Sequence, residues 1–265
     1  MRVDAHVTFL DPERFPCPGL PDALRQRFLP EHLSGPLRRN RFDGCVAVSG
    51  TAQAGETRWL LELAGGSDIV LGVAGGVAGA SPPEALDEFM RCDRFKAVFV
   101  PAERLPDQET ILLLQEAARR NVPAELALDW RDLVRLPALW DRVPGLRAAV
   151  SHLESLPLRP EALDEWAEAV EAAACLPGLY IKLSGLLRPE GLEQSVIALT
   201  PCVRLLVERF GPDRLLFGSG WPFCLAGAAK WKESLAAFTQ MLGPQPMEVR
   251  EKILGGNACR FYSLG

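Results

Sequence analysis

The chain carries few side chains that could do metal or acid–base chemistry. Its three histidines are His6, His32 and His152, whereas a catalytic zinc site usually takes three protein ligands and a water. The seven cysteines are odd in number, and no two form a CxxC-type metal or redox pair. We therefore expect no tightly bound metal or cofactor, and cysteines that are free and mostly buried.

Two carboxylates are candidates for a general base. In the segment VPAELALD (122–129), strand alternation puts Glu125 and Asp129 on the same face. If that face points towards a reaction site, either residue could deprotonate water. Asp129 also precedes Trp130 and a helical segment, so an N-cap is the alternative role. No GxSxG motif occurs, and the sequence shows neither a catalytic base paired with a thiol nor a cause for a lowered thiol pKa, so it disfavours a serine or cysteine nucleophile.

Short apolar runs and helical periodicity alternate along the chain, which predicts strand and helix in turn. Eight runs are typical of strands: 2–7, 44–48, 68–74, 96–100, 124–128, 146–150, 179–183 and 214–217. Seven segments are typical of helices: 56–64, 83–91, 108–120, 131–142, 160–175, 192–210 and 228–242. Ser81, two prolines and Glu84 mark the start of one of these helices.

Eight such units in 265 residues give the length of a (β/α)8 TIM barrel. The alternative is a doubly wound sheet, which would need a phosphate loop. The glycine-rich run at 72–80 does not spell GxGxxG, and no GxxxxGK[ST] occurs. We therefore predict a single barrel domain over 1–265. Six prolines between 12 and 36 predict a long loop over 10–42 after the first strand.

Charge and hydropathy exclude some classes of partner. The formal charge is −5, whereas nucleic-acid binding needs a basic surface. No apolar run approaches the roughly 18 residues that span a bilayer, and the N-terminus lacks the apolar region of a signal peptide. We expect a cytoplasmic protein that binds a small molecule at the C-terminal face of its barrel. A homo-oligomer is compatible with this composition.

Three segments resemble the amidohydrolase-related family that includes lactonases acting on fucono- and rhamnono-lactones. They are FGPDRLLFGSGWPFC (210–224), YIKLSGL (180–186) and ILGGNACRFYSL (253–264). VDAH (3–6) and VSHL (150–153) match in position and context. The resemblance runs nearly end to end, and it implies a TIM barrel and a hydrolase of a small sugar lactone or related ester.

The resemblance also implies a set of site residues, from which this chain departs. The family has a His-x-His pair after strand 1, a histidine after a middle strand, and an aspartate in a GSDWP context after strand 8. Here the pair is His6 and Thr8, the middle histidine is His152, and GSGWP places Gly220 at the aspartate position. The resemblance thus implies a degenerate site, in which His6 and His152 would hold a divalent metal such as zinc only weakly.

Several of these positions have a structural interpretation beside the functional one. Lys182 could contact a sugar hydroxyl or carboxylate, or pair with an acid inside the barrel. Trp221 could form the wall of a sugar pocket or pack under a loop, and Thr8 occupies a substrate-facing position in the resemblance. His6 and His152 are either site residues or buried histidines whose ring nitrogens form hydrogen bonds with the backbone.

Two hypotheses follow for the function. In the first, the chain opens a small lactone or related ester, with His6 and His152 as electrophile or proton relay and Asp129 or Glu125 as the base. In the second, the chain is a catalytically inactive relative that binds a small molecule or a protein partner through the barrel mouth.

Overall fold

A computed structural model describes residues 1–17, 20–105, 107–151, 153–156, 159–188, 190–226 and 230–265. Its eight strands are all parallel and pair in sequence order. They are β1 Val3–Val7, β2 Gly44–Val48, β3 Val70–Gly75, β4 Phe95–Pro101, β5 Ala124–Ala127, β6 Ala148–Ser151, β7 Leu179–Leu183 and β8 Leu215–Phe217. The predicted barrel is confirmed, and β2 and β7 have the predicted bounds.

The first and last strands meet at their carboxyl ends. The backbone N–H of Gly220 donates to the carbonyl of His6 at 3.0 Å, and the N–H of Thr8 donates to the carbonyl of Trp221 at 2.8 Å. These bonds tie the segment after β8 to the end of β1. The ring of strands is therefore nearly closed, and His6 lies at the join.

Helices follow the strands, as the alternating pattern predicts. They are α1 Pro30–Arg39, α2 Ala54–Gly65, α3 Pro82–Phe89, α4 Gln108–Arg119, α5 Leu136–Arg142, α6 Pro160–Ala174, α7 Leu192–Phe210, α8 Trp231–Leu242, α9 Met247–Glu251 and α10 Asn257–Tyr262. Helix α7 has the predicted bounds. Ser81 is the N-cap of α3 as predicted, although its side chain makes no capping hydrogen bond. No helix in the described ranges is long and apolar enough to cross a membrane.

The prediction of a loop throughout 10–42 is wrong for its second half. Helix α1 begins at Pro30, and it buries Leu33 and Leu37 one turn apart on the same face. Proline at the first helical position has no N–H to leave unpaired, so Pro30 favours a helix start rather than opposing one. The side chain of His32 accepts a hydrogen bond from the N–H of Leu29 at 2.9 Å and caps the same turn.

Two apolar cores lie on the two sides of the sheet. Small residues such as Ala5, Ala74 and Ala149 fill the barrel interior together with Phe261 and Tyr262 from α10. The second, larger core packs the helices onto the outside of the strands.

Helix α10 closes the N-terminal end of the barrel. Lys96, near the start of β4, donates to the carbonyl of Ser263 at 3.2 Å. Arg147, just before β6, donates to the carbonyl of Phe261 at 2.7 Å. The opposite, C-terminal end is where barrel enzymes place their reaction sites.

Candidate functional site

A cavity of about 400 Å³ opens at the carboxyl ends of β1, β7 and β8. This volume suits a small organic ligand. Its polar side chains in the described part of the chain are His6, Ser184, Arg188 and Ser219. The rest of the described lining is Gly185, Leu187, Gly220, Phe223 and Cys224.

His6 reaches this cavity because of local irregularity in β1 and a glycine in the neighbouring strand segment. The pairing of β1 with β2 shifts register between Asp4 and Val7. A Cβ atom at Gly218 would lie 2.5 Å from the Cβ of His6, so only glycine lets the two segments approach this closely. Any larger residue at 218 would displace the imidazole.

The imidazole of His6 is set up to be neutral. Its Nδ1 is buried and has no hydrogen-bond partner among the described residues. Burial lowers the pKa of His6 well below its usual range, and the positive charge of Lys182 lowers it further. A neutral imidazole keeps one nitrogen able to accept a proton.

The hydroxyl of Ser184 is a second unengaged polar group at this cavity. Ser184 follows β7, its side chain is fully buried, and its Oγ has no hydrogen-bond partner among the residues that the structure describes. A buried hydroxyl without a partner costs free energy. It is therefore available to donate to a ligand oxygen.

Asp4 is a buried carboxylate that organises the backbone around His6. Its Oδ1 accepts from the N–H of Ser219 at 2.9 Å and the N–H of His6 at 3.3 Å. Its Oδ2 accepts from the indole N–H of Trp231 at 2.8 Å. Burial raises the pKa of Asp4 above its usual range, although the N–H donors act in the opposite direction. Asp4 thus links β1, the loop after β8 and α8.

We expect Asp4→Ala to lower the free energy of unfolding by about 3 kcal/mol, because each buried donor left unpaired costs about 1–3 kcal/mol. Three donors lose their acceptor: the backbone N–H groups of Ser219 and His6 and the indole N–H of Trp231. Urea denaturation measures the change. Asp22→Ala is the matched control, since the Asp22 side chain is 92% exposed beside Arg25, and its loss should cost under about 1 kcal/mol. Equal stability of the two variants would contradict the role given to Asp4.

A cluster of buried polar side chains lies inside the barrel on the N-terminal side of His6. The Lys182 ammonium donates to the carbonyl of Ala5 at 2.5 Å and pairs with Glu125 Oε2 at 2.8 Å. The hydroxyl of Tyr262 donates to Glu125 Oε1. Both members of the ion pair are almost fully buried. Burial raises the pKa of Glu125 to about 7, and Lys182 opposes that rise.

The carboxylates proposed as bases occupy different environments. Glu125 points into the barrel, but it is held by Lys182 and Tyr262. Asp129 is 41% exposed and caps the 3-10 turn Trp130–Arg135, where it accepts from the N–H of Arg131 at 3.0 Å. Within the described ranges, neither residue lines the cavity at His6.

The other residues singled out from the sequence lie outside the cavity lining or outside the described residues. Trp221 packs against Phe9 and Phe28, with ring centroids 5.9 and 5.4 Å apart. Thr8 is buried and is bonded to Trp221 through its backbone. Neither Thr8, Trp221 nor Lys182 is among the described residues that line the cavity. His152 lies outside the described residues.

Most residues that line the cavity have no assignment from the sequence alone. Leu187 and Arg188 follow β7, and Phe223 and Cys224 follow β8. Their position after barrel strands was the available signal, but it applies equally to every such loop. Burial raises the pKa of the Cys224 thiol to about 12, so Cys224 contributes an uncharged wall.

Gly220 leaves room in this cavity. Its φ of +67° lies in the left-handed region, and a Cβ atom built there would have the N of Gly185 as its nearest neighbour, 3.8 Å away. Glycine takes this conformation without strain. A side chain at 220 would have space.

The described donors do not fit a tightly bound metal. No group of three His, Cys, Asp or Glu side chains within the described part of the chain could hold one. At the cavity itself, the described donors of these types are His6 and the neutral Cys224. A catalytic zinc usually needs three protein ligands. The expectation of no tightly bound metal stays a prediction.

An eight-stranded parallel barrel with a ligand-sized cavity at the carboxyl ends of its strands has the architecture of the TIM-barrel fold. The model of the Amidohydrolase family (Amidohydro_2) matches residues 3–264, so the chain belongs to that family. The chain is 29% identical over 282 residues to an L-fucono-1,5-lactonase of Burkholderia ambifaria, a match that covers 99% of this chain and 96% of the relative.

Solved structures show the same fold. Two crystal structures of an amidohydrolase from Burkholderia multivorans, one with bound HEPES and one with bound zinc, superpose with TM-scores of 0.89 and 0.88 at 23% identity. Each match covers 100% of both chains. At this identity the likeness establishes the barrel and not the chemistry.

Proposed function

We propose that this protein hydrolyses a small lactone or related ester at the cavity beside His6. The observation that carries the proposal is the neutral, partly exposed imidazole of His6 at a ligand-sized cavity, next to the unengaged Ser184 hydroxyl. The whole-length similarity to an L-fucono-1,5-lactonase supports the same reaction class.

The reaction follows from these two side chains. The imidazole of His6 accepts a proton from water while the oxygen of that water bonds to the lactone carbonyl carbon. The Ser184 hydroxyl donates to the carbonyl oxygen as negative charge develops there. The ring C–O bond then breaks, and the leaving oxygen takes the proton back from His6. The product is a hydroxy acid.

This proposal assigns the proton transfer to His6 rather than to Glu125 or Asp129. Glu125 already binds Lys182 and Tyr262, and Asp129 already caps a turn. Moving either carboxylate to water at the cavity would break those contacts. In this account the site is degenerate relative to its family, because Thr8 and Gly220 stand where a histidine and an aspartate are expected.

The test is a pH-stat screen of purified protein against sugar, alkyl and aromatic lactones, with metal content measured in parallel. We expect turnover that scales with protein concentration, and a metal content well below one per chain. A screen without turnover would reject the hydrolase.

A catalytically inactive relative that binds a small molecule is the second candidate function. The room at Gly220 favours it, because no carboxylate occupies the position that would activate water in the family. If this candidate is correct, calorimetry detects ligand binding and no hydrolysis product forms. A stoichiometric bound metal would contradict it.

We expect Gly220→Asp to raise kcat/KM for a lactone by about tenfold or more, because it adds a carboxylate to the cavity that holds His6. Gly220→Asn is the matched control. It carries the same backbone cost at positive φ, about 1–2 kcal/mol, but it supplies no base. Initial rates of the two variants decide the matter, and equal rates would show that a carboxylate at 220 does not reach the reacting water.

A further inference from the structure

The lining of the cavity beside His6 combines polar and apolar side chains. His6 lies near the carboxyl end of β1, and Ser184 and Ser219 follow β7 and β8. Leu187 and Phe223 lie on the loops further along the chain. A ligand whose carbonyl binds the polar side chains can place the rest of its skeleton against the apolar ones.

Among the described residues, only four polar side chains line the cavity, and two of them already have partners. The Oγ of Ser219 already accepts from the N–H of Trp221 at 3.1 Å. The guanidinium of Arg188 already donates to the carbonyls of Leu153 and Leu156 at 2.6 and 2.9 Å. In the proposed reaction, His6 binds the attacking water and Ser184 binds the carbonyl oxygen. Each sugar hydroxyl buried without a partner costs about 1–3 kcal/mol.

Phe223 is an exposed apolar surface at the mouth of this cavity. Its side chain is 41% exposed, and a bound ligand that covers the ring would gain from the burial of apolar area. Gly185 and Gly220 also line the cavity, and a Cβ at 220 would lie 3.8 Å from the nearest atom. A lining of glycine backbone and an aromatic ring suits a flat or branched apolar group.

We infer that the cavity takes lactones whose non-reacting carbons are alkyl or aryl, in preference to polyhydroxylated sugar lactones. This inference rests on the proposed lactone hydrolysis at the same site. It names Phe223 as the residue that determines the preference, through contact with the apolar part of the substrate.

The test compares matched substrates with wild-type protein. Initial rates are measured for an alkyl-substituted six-membered lactone, for dihydrocoumarin and for L-fucono-1,5-lactone. Calorimetry with the lactam of the alkyl lactone, which resists hydrolysis, reports binding independently of turnover. We expect kcat/KM at least about tenfold higher for the apolar lactones, equivalent to about 1.4 kcal/mol.

Variants of Phe223 test whether this residue determines the preference for apolar lactones. Phe223→Ala should lower kcat/KM for the alkyl lactone and affinity for its lactam by about tenfold. Phe223→Leu should restore most of both, because it keeps an apolar side chain. Leu112→Ala is the matched control: Leu112 is 54% exposed on α4 and does not line the cavity, so neither quantity should change.

The outcomes separate this inference from the proposed function. Turnover that favours the sugar lactone would overturn the inference and leave the hydrolase standing. Lactam binding that depends on Phe223, without hydrolysis of any lactone, would support the apolar ligand and reject the hydrolase. Absence of both binding and turnover would reject both. A preference for apolar lactones that Phe223→Ala leaves unchanged would overturn the role of Phe223.

Discussion

Replacement of His6 by alanine lowers kcat/KM for the hydrolysed lactone by about 10²- to 10⁴-fold, the usual effect of removing a positioned general base. The loss is large because His6 supplies the imidazole that lines the cavity, and burial keeps that imidazole neutral, with one nitrogen able to accept a proton. Binding of a non-hydrolysable lactam should change far less, so the effect falls mainly on kcat. Steady-state kinetics and calorimetry measure the two quantities.

His32→Ala is the matched control for His6→Ala. His32 is exposed and caps the first turn of α1, where it accepts from the N–H of Leu29. Its replacement should leave the rate unchanged and cost about 1 kcal/mol of stability. His6→Gln provides a variant of closer size that also lacks a base near neutral pH. Wild-type rates in both His6 variants would remove His6 from the mechanism.

Lys182→Met should lower the free energy of unfolding at pH 8 by about 3–5 kcal/mol, because it leaves the buried carboxylate of Glu125 without its partner. The deficit should shrink towards pH 5. Without Lys182, the pKa of Glu125 rises further above about 7, whereas in the unfolded chain it stays near 4.5. The variant therefore keeps its stability below the pKa that Glu125 has in the unfolded chain. It loses that stability as the pH rises through the pKa that Glu125 has in the folded protein.

The control for Lys182 uses a surface ion pair and a double variant. Lys252→Met removes a partly exposed pair with Asp213 and should cost under about 1 kcal/mol. Glu125→Gln combined with Lys182→Met should recover most of the stability, because no buried charge remains and Tyr262 keeps an acceptor. Urea denaturation at pH 5 and 8 tests this. A deficit independent of pH, or a double variant worse than Lys182→Met, would show that charge burial is not the cause.

Local sequence patterns predict the bounds of an element correctly where the whole pattern lies within that element. β2, β7 and α7 have the predicted bounds because apolar runs and helical periodicity are complete within them. The prediction of a loop over 10–42 fails in its second half because proline disfavours a helix interior but favours the first helical position. Pro30 starts a helix, and Leu33 and Leu37 supply its buried face.

The site was predictable only in part, because its remaining features depend on contacts between distant residues. The position of His6 near the end of strand 1 indicates the rim of the barrel. Alternation along β5 put Glu125 on one face, but it carried no information that Lys182 and Tyr262 would bind it. The packing of Trp221 against Phe28 also joins residues from opposite ends of the chain.

The closure of the barrel by α10 has a consequence for synthesis on the ribosome. Tyr262 completes the hydrogen bonding of Glu125, yet it is translated after all eight strands. A nascent chain that has emerged only through β8 must keep the carboxylate of Glu125 solvated or protonated, since its final donor has not yet been made. The interior of the barrel therefore reaches its native bonding after translation of the last helix, and a stop codon before Tyr262 would leave a product with an incompletely bonded charge at its centre.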